Sequence, residues 1–324
     1  MRYIDMHCDT LMAFATEANF DLAENNKMVD VKKLKSGECA AQFFAMFVPP
    51  EKEFLQEGIF CKDCWDYIST LRNGLFSFID SHNDKIAYAG NYDDYCKNLK
   101  EDKISAFLTV EDGYCVNSRL ENIKKLYNMG VRLISLTWNY ENCFGFPNSR
   151  EADAMNSGLK PFGKEALEYM NELGIIVDVS HLSDGGFYDV AEIASAPFVA
   201  SHSNCREITP HPRNLTDDMI KTLADKGGVA GINFCSDFLT PGGGAEESKI
   251  EYMIRHINRF VNKGGIECVG IGSDFDGIRS DLEIKNASMM QNLFERLSFS
   301  GFSDSDIEKI AYRNTLRIIK SSMK

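Results

Sequence analysis

Eight short apolar runs punctuate the chain, at residues 3–7, 40–48, 104–110, 131–138, 175–180, 198–202, 228–234 and 268–274. Several are almost continuous in hydrophobic residues, the pattern of parallel strands covered on both faces. Between them lie stretches with helical spacing, at 120–128, 161–173, 216–226 and 247–262, and two more follow the last run, at 288–297 and 304–321. Pro161 opens one of these and Gly174 stands past its end, while Gly227-Gly228 and Gly264-Gly265 stand past the ends of two others, as helix termini require. Strands alternating with helices across the whole chain predict a parallel α/β sheet, and eight repeats predict a closed (β/α)₈ TIM barrel.

The longest interruption, residues 51–103, is expected to hold two or more helices between strands two and three. Its Phe54, Phe60, Trp65, Tyr67, Leu71, Leu75, Phe76 and Phe78 are expected to form a packing face. No linker rich in proline, glycine or serine divides the chain, so residues 1–324 are expected to make one barrel domain. Pro241-Gly242-Gly243-Gly244 reads as a flexible loop after strand seven, suited to a lid over the barrel mouth or to a plain connection.

A hydrophobic content of 44% with 26% charged residues describes an ordinary globular protein. The net charge of −13 argues against nucleic acid or an anionic membrane as partner, since both need basic patches. No apolar segment follows Met1-Arg2 in the manner of a signal peptide, and no run approaches a membrane span. The expected location is therefore the cytoplasm, and the ten cysteines read as reduced thiols. Cys61-Lys62-Asp63-Cys64 lacks a second CxxC partner and is read as two helix cysteines, while Cys39, Cys235 and Cys268 are read as small core residues.

The C-terminal ends of barrel strands are where catalytic groups are sought. Strand one ends in His7-Cys8-Asp9, strand three in Glu111, strand five in His181, strand six in His202 and strand eight in Asp274. Only six histidines exist, and three stand at these ends; His82 and His256 are taken as surface residues. His7 and Asp9, spaced two apart, can converge on one divalent ion. The set suits two ions, with His7, Asp9, His181 and His202 as terminal ligands and Glu111 as the bridge. Two such ions can share a hydroxide that attacks a polarised carbonyl, and Asp274 remains as the proton carrier. The nitrogen-rich donors favour Zn2+, two per chain, without excluding manganese, iron or cobalt.

With these residues in place, the chain resembles the membrane dipeptidase (renal dipeptidase) family, peptidase family M19. The resemblance runs from Ile4-Asp5-Met6-His7-Cys8-Asp9 through Val110-Glu111-Asp112-Gly113, Asp178-Val179-Ser180-His181, Ser201-His202-Ser203-Asn204 and His211-Pro212-Arg213-Asn214 to Gly272-Ser273-Asp274-Phe275-Asp276-Gly277. It implies an amidohydrolase-type barrel with a binuclear zinc centre on His7, Asp9, Glu111, His181 and His202. It also implies catalytic roles for Glu111 and Asp274, and Arg213 as the clamp on a dipeptide's C-terminal carboxylate. Mammalian members carry a histidine after the Leu-Thr of strand four. Here Trp138 stands there, and Asn139 and Tyr140 are the candidates to supply the missing substrate contact. A homodimer is the family expectation.

The function implied is hydrolysis of dipeptides, including those with a C-terminal D-residue. The alternative is an enzyme with the same centre acting on another amide, an N-acyl amino acid or a lactam. A non-catalytic metal-binding barrel is the third reading, and Asp274 counts against it, because a binding site needs no acid/base group.

Overall fold

Each of the eight apolar runs contains a strand, and the eight pair in parallel around a closed barrel. The computed structural model describes residues 1–241 and 247–324. In chain order the strands are β1 (Tyr3–Cys8), β2 (Cys39–Phe47), β3 (Ile86–Tyr88), β4 (Ile104–Glu111), β5 (Val131–Ser135), β6 (Ile176–Asp178), β7 (Val199–Ala200), β8 (Val229–Ile232), β9 (Glu247–Ser248), β10 (Val269–Ile271) and β11 (Asp281–Leu282). The barrel runs β1, β2, β4, β5, β6, β7, β8, β10 and back to β1. Its longest seam is β2 on β4, in register from Ala41 on Ser105 to Phe47 on Glu111.

The barrel interior is filled from every side. Ile4, Met6, Ala41, Phe43, Phe107, Leu133, Ile176, Val199 and Val229 form one buried cluster, closed off by Tyr95, Ile318 and Ile319. Phe43 and Phe107 stack at its centre, ring centroids 4.7 Å apart. Burying each such ring contributes roughly 1.5–3 kcal/mol. A larger apolar layer, including Leu126, Leu167, Met170, Val190, Ile220, Leu223 and Ile257, packs the helices onto the outside.

Local chemistry sets the helix ends. Asp63 caps the helix Cys64–Ser81 by accepting from the amide of Asp66, and Asn91 caps Tyr92–Lys100 by accepting from that of Asp94, both at 2.9 Å. Thr216 does the same for Asp217–Asp225, satisfying amides that the first turn leaves free. Gly174 closes Pro161–Leu173 with φ 79°, a backbone geometry in which a side chain is strained.

Several expectations need correction. The insertion holds the two long helices Cys64–Ser81 and Tyr92–Lys100, but also β3, which pairs with β4 beside β5. Phe60 is 84% exposed and so does not belong to the packing face. The helix expected from 247 begins at Ile250, because residues 247–248 form β9 and pair with β11. Cys61 precedes its helix; Cys64 opens it. His256 is buried, not on the surface: its Nδ1 accepts from the amide of Cys205 at 3.0 Å, and its Nε2 lies 2.8 Å from the carbonyl of Leu239. Residues 242–244 of the expected lid loop lie outside the described residues. All ten cysteines are unpaired. Among the described residues, no helix is long and apolar enough to cross a membrane.

Candidate metal centre

The strand ends leave the ladder early, and the residues that leave it turn into the mouth. The apolar run 131–138 is strand only to Ser135, and 268–274 only over Val269–Ile271. Asp9, expected on strand one, lies just past β1 and starts a 3₁₀ turn, tied down by its amide to the carbonyl of Phe275 at 2.9 Å. His181 and Asp274 have φ of 69° and 63°. Such left-handed backbone costs about 1–3 kcal/mol for a residue with a side chain and clusters at functional sites.

Six side chains from five strand ends meet there. Nε2 of His7 lies 3.2 Å from Oδ2 of Asp9, 3.5 Å from Oε2 of Glu111 and 3.8 Å from Oδ1 of Asp274. The other oxygen of Glu111, Oε1, lies 3.0 Å from Nε2 of His181 and 3.6 Å from Nε2 of His202. The two imidazole Nε2 atoms of His181 and His202 face each other at 3.1 Å. All six residues are less than 9% exposed.

This donor set fits divalent cations. Two neutral imidazoles cannot both present lone pairs to each other without a proton or a cation between them. Oδ1 of Asp9 is buried and has no hydrogen-bond partner. Three triads, His7–Asp9–Glu111, Glu111–His181–His202 and His7–His202–Asp274, each bring one ligand atom per residue within 4.8 Å of the others. Crowding leaves its mark on the acids. Burial pushes Asp9 up to about 8 against the pull of His7. Burial likewise raises Asp274 to about 6, although His7, Asn233 and Arg213 oppose it. Burial lowers His181 to about 4, aided by Arg213, so its ring is neutral at pH 7 and free to ligate.

Arg213 reaches the same mouth from the loop after β7. It is 5% exposed, its Nη1 donates to Oγ of Ser203 at 3.3 Å and its Nη2 to the carbonyl of His202 at 3.2 Å. Its Nε has no partner, and among the described residues its hydrogen bonds go to neutral oxygens alone. His211 shapes this corner, its Nδ1 accepting from the amide of Arg213 at 3.2 Å and its ring packing on Phe238 at 4.7 Å.

The corner after β5, the fourth strand of the sequence reading, is divided. Oδ1 of Asn139 lies 3.4 Å from Nδ1 of His181, so that side chain reaches a cluster residue. Tyr140 is 40% exposed, its hydroxyl donates to Glu53 at 2.5 Å, and Lys52 sits over its ring. It is Trp138 whose ring stands beside the cluster, 6.4 Å from that of His181 and packed edge-on against Phe47. Two supporting residues escaped the sequence reading. Asn233, just past β8, donates to Oδ2 of Asp274 at 2.8 Å; its signal was a polar residue near the end of an apolar run. Gly277 approaches so closely that a Cβ there would lie 2.1 Å from Oδ2 of Asp9 and 2.7 Å from Oδ1 of Asp274.

Comparisons with known proteins show the family to which the chain belongs. The family model for membrane dipeptidase (peptidase family M19) matches residues 1–324. An uncharacterized dipeptidase of Schizosaccharomyces pombe is 30% identical over 321 residues, 94% of this chain and 75% of the relative. An uncharacterized Klebsiella pneumoniae protein from the pqqA 5′ region is 34% identical over 233 residues, 69% of this chain and 85% of the relative. Among solved structures, a metallo peptidase from Rhodobacter sphaeroides, liganded with a phosphinate mimic of L-Ala-D-Ala, superposes with a TM-score of 0.89 at 23% identity, covering 99% of both chains. The chain belongs to the membrane dipeptidase family, peptidase family M19.

Proposed function

We propose that this M19 enzyme is a binuclear zinc dipeptidase that cleaves the peptide bond of dipeptides bearing a free C-terminal carboxylate. His7 and Asp9 would hold one ion and His181 and His202 the other, with one oxygen of Glu111 toward each. Bound there, the ions would supply Lewis acidity, lowering the pKa of a water that serves as nucleophile and polarising the scissile carbonyl. Zinc is favoured by three imidazoles among five ligands. Asp274, oriented by Asn233 and raised to about 6, is poised to carry a proton to the leaving amine. Ten unpaired cysteines suit a reducing cytoplasm.

The observation that carries the substrate assignment is Arg213. A buried guanidinium without a carboxylate partner is costly, and a substrate carboxylate would complete it bidentately. Its hydrogen bonds to Ser203 and to the backbone of His202 hold it beside a residue of the cluster, which supports a substrate whose free carboxylate lies close to the scissile bond, as in a dipeptide. The ligand of the Rhodobacter sphaeroides relative, a mimic of L-Ala-D-Ala, places D-residues among the substrates to try here.

The test is zinc analysis coupled to a panel of L-Ala-L-Ala, L-Ala-D-Ala, tri-alanine and N-acetyl-alanine. Two zinc ions per chain with hydrolysis confined to the dipeptides is the expected result. Tripeptide cleavage at a comparable rate overturns the carboxylate clamp. Preferred cleavage of N-acetyl-alanine replaces dipeptides with N-acyl amino acids, which offer Arg213 the same carboxylate.

A further inference from the structure

We propose that Asp178 and Ser201 form a positioning relay that fixes His202 in the tautomer whose Nε2 lone pair faces the metal centre. The relay deepens the metal assignment above and rests on it for its purpose, though not for its geometry. Asp178 ends β6, Ser201 follows β7, and both are fully buried beneath His202.

Asp178 meets four donors. One oxygen, Oδ1, accepts from the amides of Ser180 and Ser201, each at 2.9 Å. The other, Oδ2, accepts from the hydroxyls of Ser135 at 2.5 Å and Ser201 at 2.6 Å. With both oxygens acting as acceptors, the Ser201 hydroxyl proton must point at Asp178. The oxygen of Ser201 then meets Nδ1 of His202, 2.7 Å away, only as an acceptor. So Nδ1 carries the ring proton, and Nε2, 3.1 Å from His181 and 3.6 Å from Glu111, carries the lone pair. A partner on the far nitrogen is how proteins set ligand tautomer and ring orientation. Here the carboxylate acts through a hydroxyl rather than directly.

The relay makes an inversion possible. In Asp178→Asn the two backbone amides hold the side-chain oxygen at the Oδ1 position, which forces the introduced NH₂ group toward Ser135 and Ser201. The hydroxyl of Ser201 then accepts from that NH₂ group, and its own proton swings to Nδ1 of His202. The hydrogen-bonded chain survives with its direction reversed, and Nε2 acquires the proton.

The experiment is nitrogen NMR of the chelator-treated protein labelled with ¹⁵N-histidine, with His202 assigned by a His202→Gln variant, alongside zinc affinity by chelator competition. The wild type should show a protonated Nδ1 and an unprotonated Nε2 on His202. Asp178→Asn should show the reverse and bind the second zinc about 10–100-fold more weakly. Ser201→Ala should lose the tautomer preference and fall between the two in affinity. An Nε2-protonated His202 in the wild type overturns the relay, and so does an Asp178→Asn protein that folds with tautomer and affinity unchanged. If the wild type shows the expected tautomer yet takes up no zinc, the relay stands and the metal reading above fails.

Discussion

Nδ2 of Asn233 donates to Oδ2 of Asp274 at 2.8 Å, which leaves Oδ1 of Asp274 turned to the cluster, 3.8 Å from Nε2 of His7. The same Nδ2 donates to the carbonyl of His202 at 3.2 Å, so one side chain links the ends of β7 and β10. The proposed function gives Asp274 the proton-carrying role rather than a place among the ligands. Asp274→Asn should keep both metals and lose about 10²–10⁴-fold in kcat, the usual contribution of a general acid or base. Metal content measured beside the kinetics decides the matter: a variant left with one ion would make Asp274 a ligand.

Arg213 bonds only neutral oxygens, those of Ser203 and of the His202 backbone. Removing it should therefore leave the centre intact while raising KM. Arg213→Ala should increase KM for L-Ala-L-Ala by about 10–100-fold, corresponding to about 1.5–3 kcal/mol for a charge-assisted hydrogen bond. Arg213→Lys should recover little, because a point charge cannot reproduce the planar fork. A dipeptide amide, lacking the carboxylate, should be a poor substrate for the wild type and respond little to either change. Equal losses for the amide and the free acid would show that Arg213 serves the fold.

Tyr140 and Asn139 separate along the same lines. Tyr140 spends its hydroxyl on Glu53 near the surface, and Tyr140→Phe should change kcat/KM by no more than about twofold, since exposed hydrogen bonds are worth little. Asn139 touches His181, so Asn139→Ala should weaken metal retention more than it alters KM. Dialysis against a graded chelator series measures the first, and steady-state kinetics the second.

The acids of the cluster make the metal-stripped protein sensitive to alkali. Burial pushes Asp9 up to about 8 and Asp112 to about 7. Burial also lowers His7, yet the Asp9 and Glu111 carboxylates outweigh it and hold the ring well above the usual imidazole range. A raised folded-state value means that the folded protein keeps protons which the unfolded chain has released, so stability falls as pH rises through that value. The lowered His181 and His202 act in the opposite sense, but only below about pH 6.5, where unfolded histidine takes up its proton. Glu111, held well below its usual value, acts only in the acid range. Between about pH 6.5 and 8, Tm of the chelated protein should therefore fall by several degrees. Zinc should restore it more at pH 8 than at 6.5. A chelated protein with a flat profile across that window would contradict this ionisation scheme.

What could be read from residue order was whatever a period or a strand end carries. His7, Glu111, His181, His202 and Asp274 stand where apolar runs stop, and the barrel brings those stops to one mouth, so five of the six cluster residues follow from the run ends. The strand limits themselves were less legible. The apolar character of Leu136 and Phe275 continues past the strand ends at Ser135 and Ile271, because these residues stay buried where the regular strand has stopped. β3 is three residues long and carries no alternation to find it by. His256 looked like a surface residue because helical spacing does not reveal that its face meets the loop at Cys205 and Leu239. Asn233 showed only as a polar residue near the end of an apolar run, and Gly277 acts through close approach to Asp9 and Asp274, which no local pattern encodes.

Gly277 provides the sharpest steric test of the site. It is exposed at the rim, its backbone does not require glycine's left-handed freedom, and yet a Cβ there would stand 2.1 Å from Oδ2 of Asp9 and 2.7 Å from Oδ1 of Asp274. Neither carboxylate can simply swing away. Asp9 is 6% exposed and held against His7, and Asp274 is tied to Asn233. In Gly277→Ala the methyl group should displace Asp9 from His7 and so weaken the ion assigned to that pair by at least tenfold, a loss of about 1.4 kcal/mol. The ion on His181 and His202 should be retained, and because the rim carries little of the core, Tm of the chelated protein should stay within a few degrees of the wild type. Zinc titration should then show one tight and one weak ion where the wild type has two tight ones. Two tight ions in Gly277→Ala would mean that Asp9 does not need its present position to bind metal.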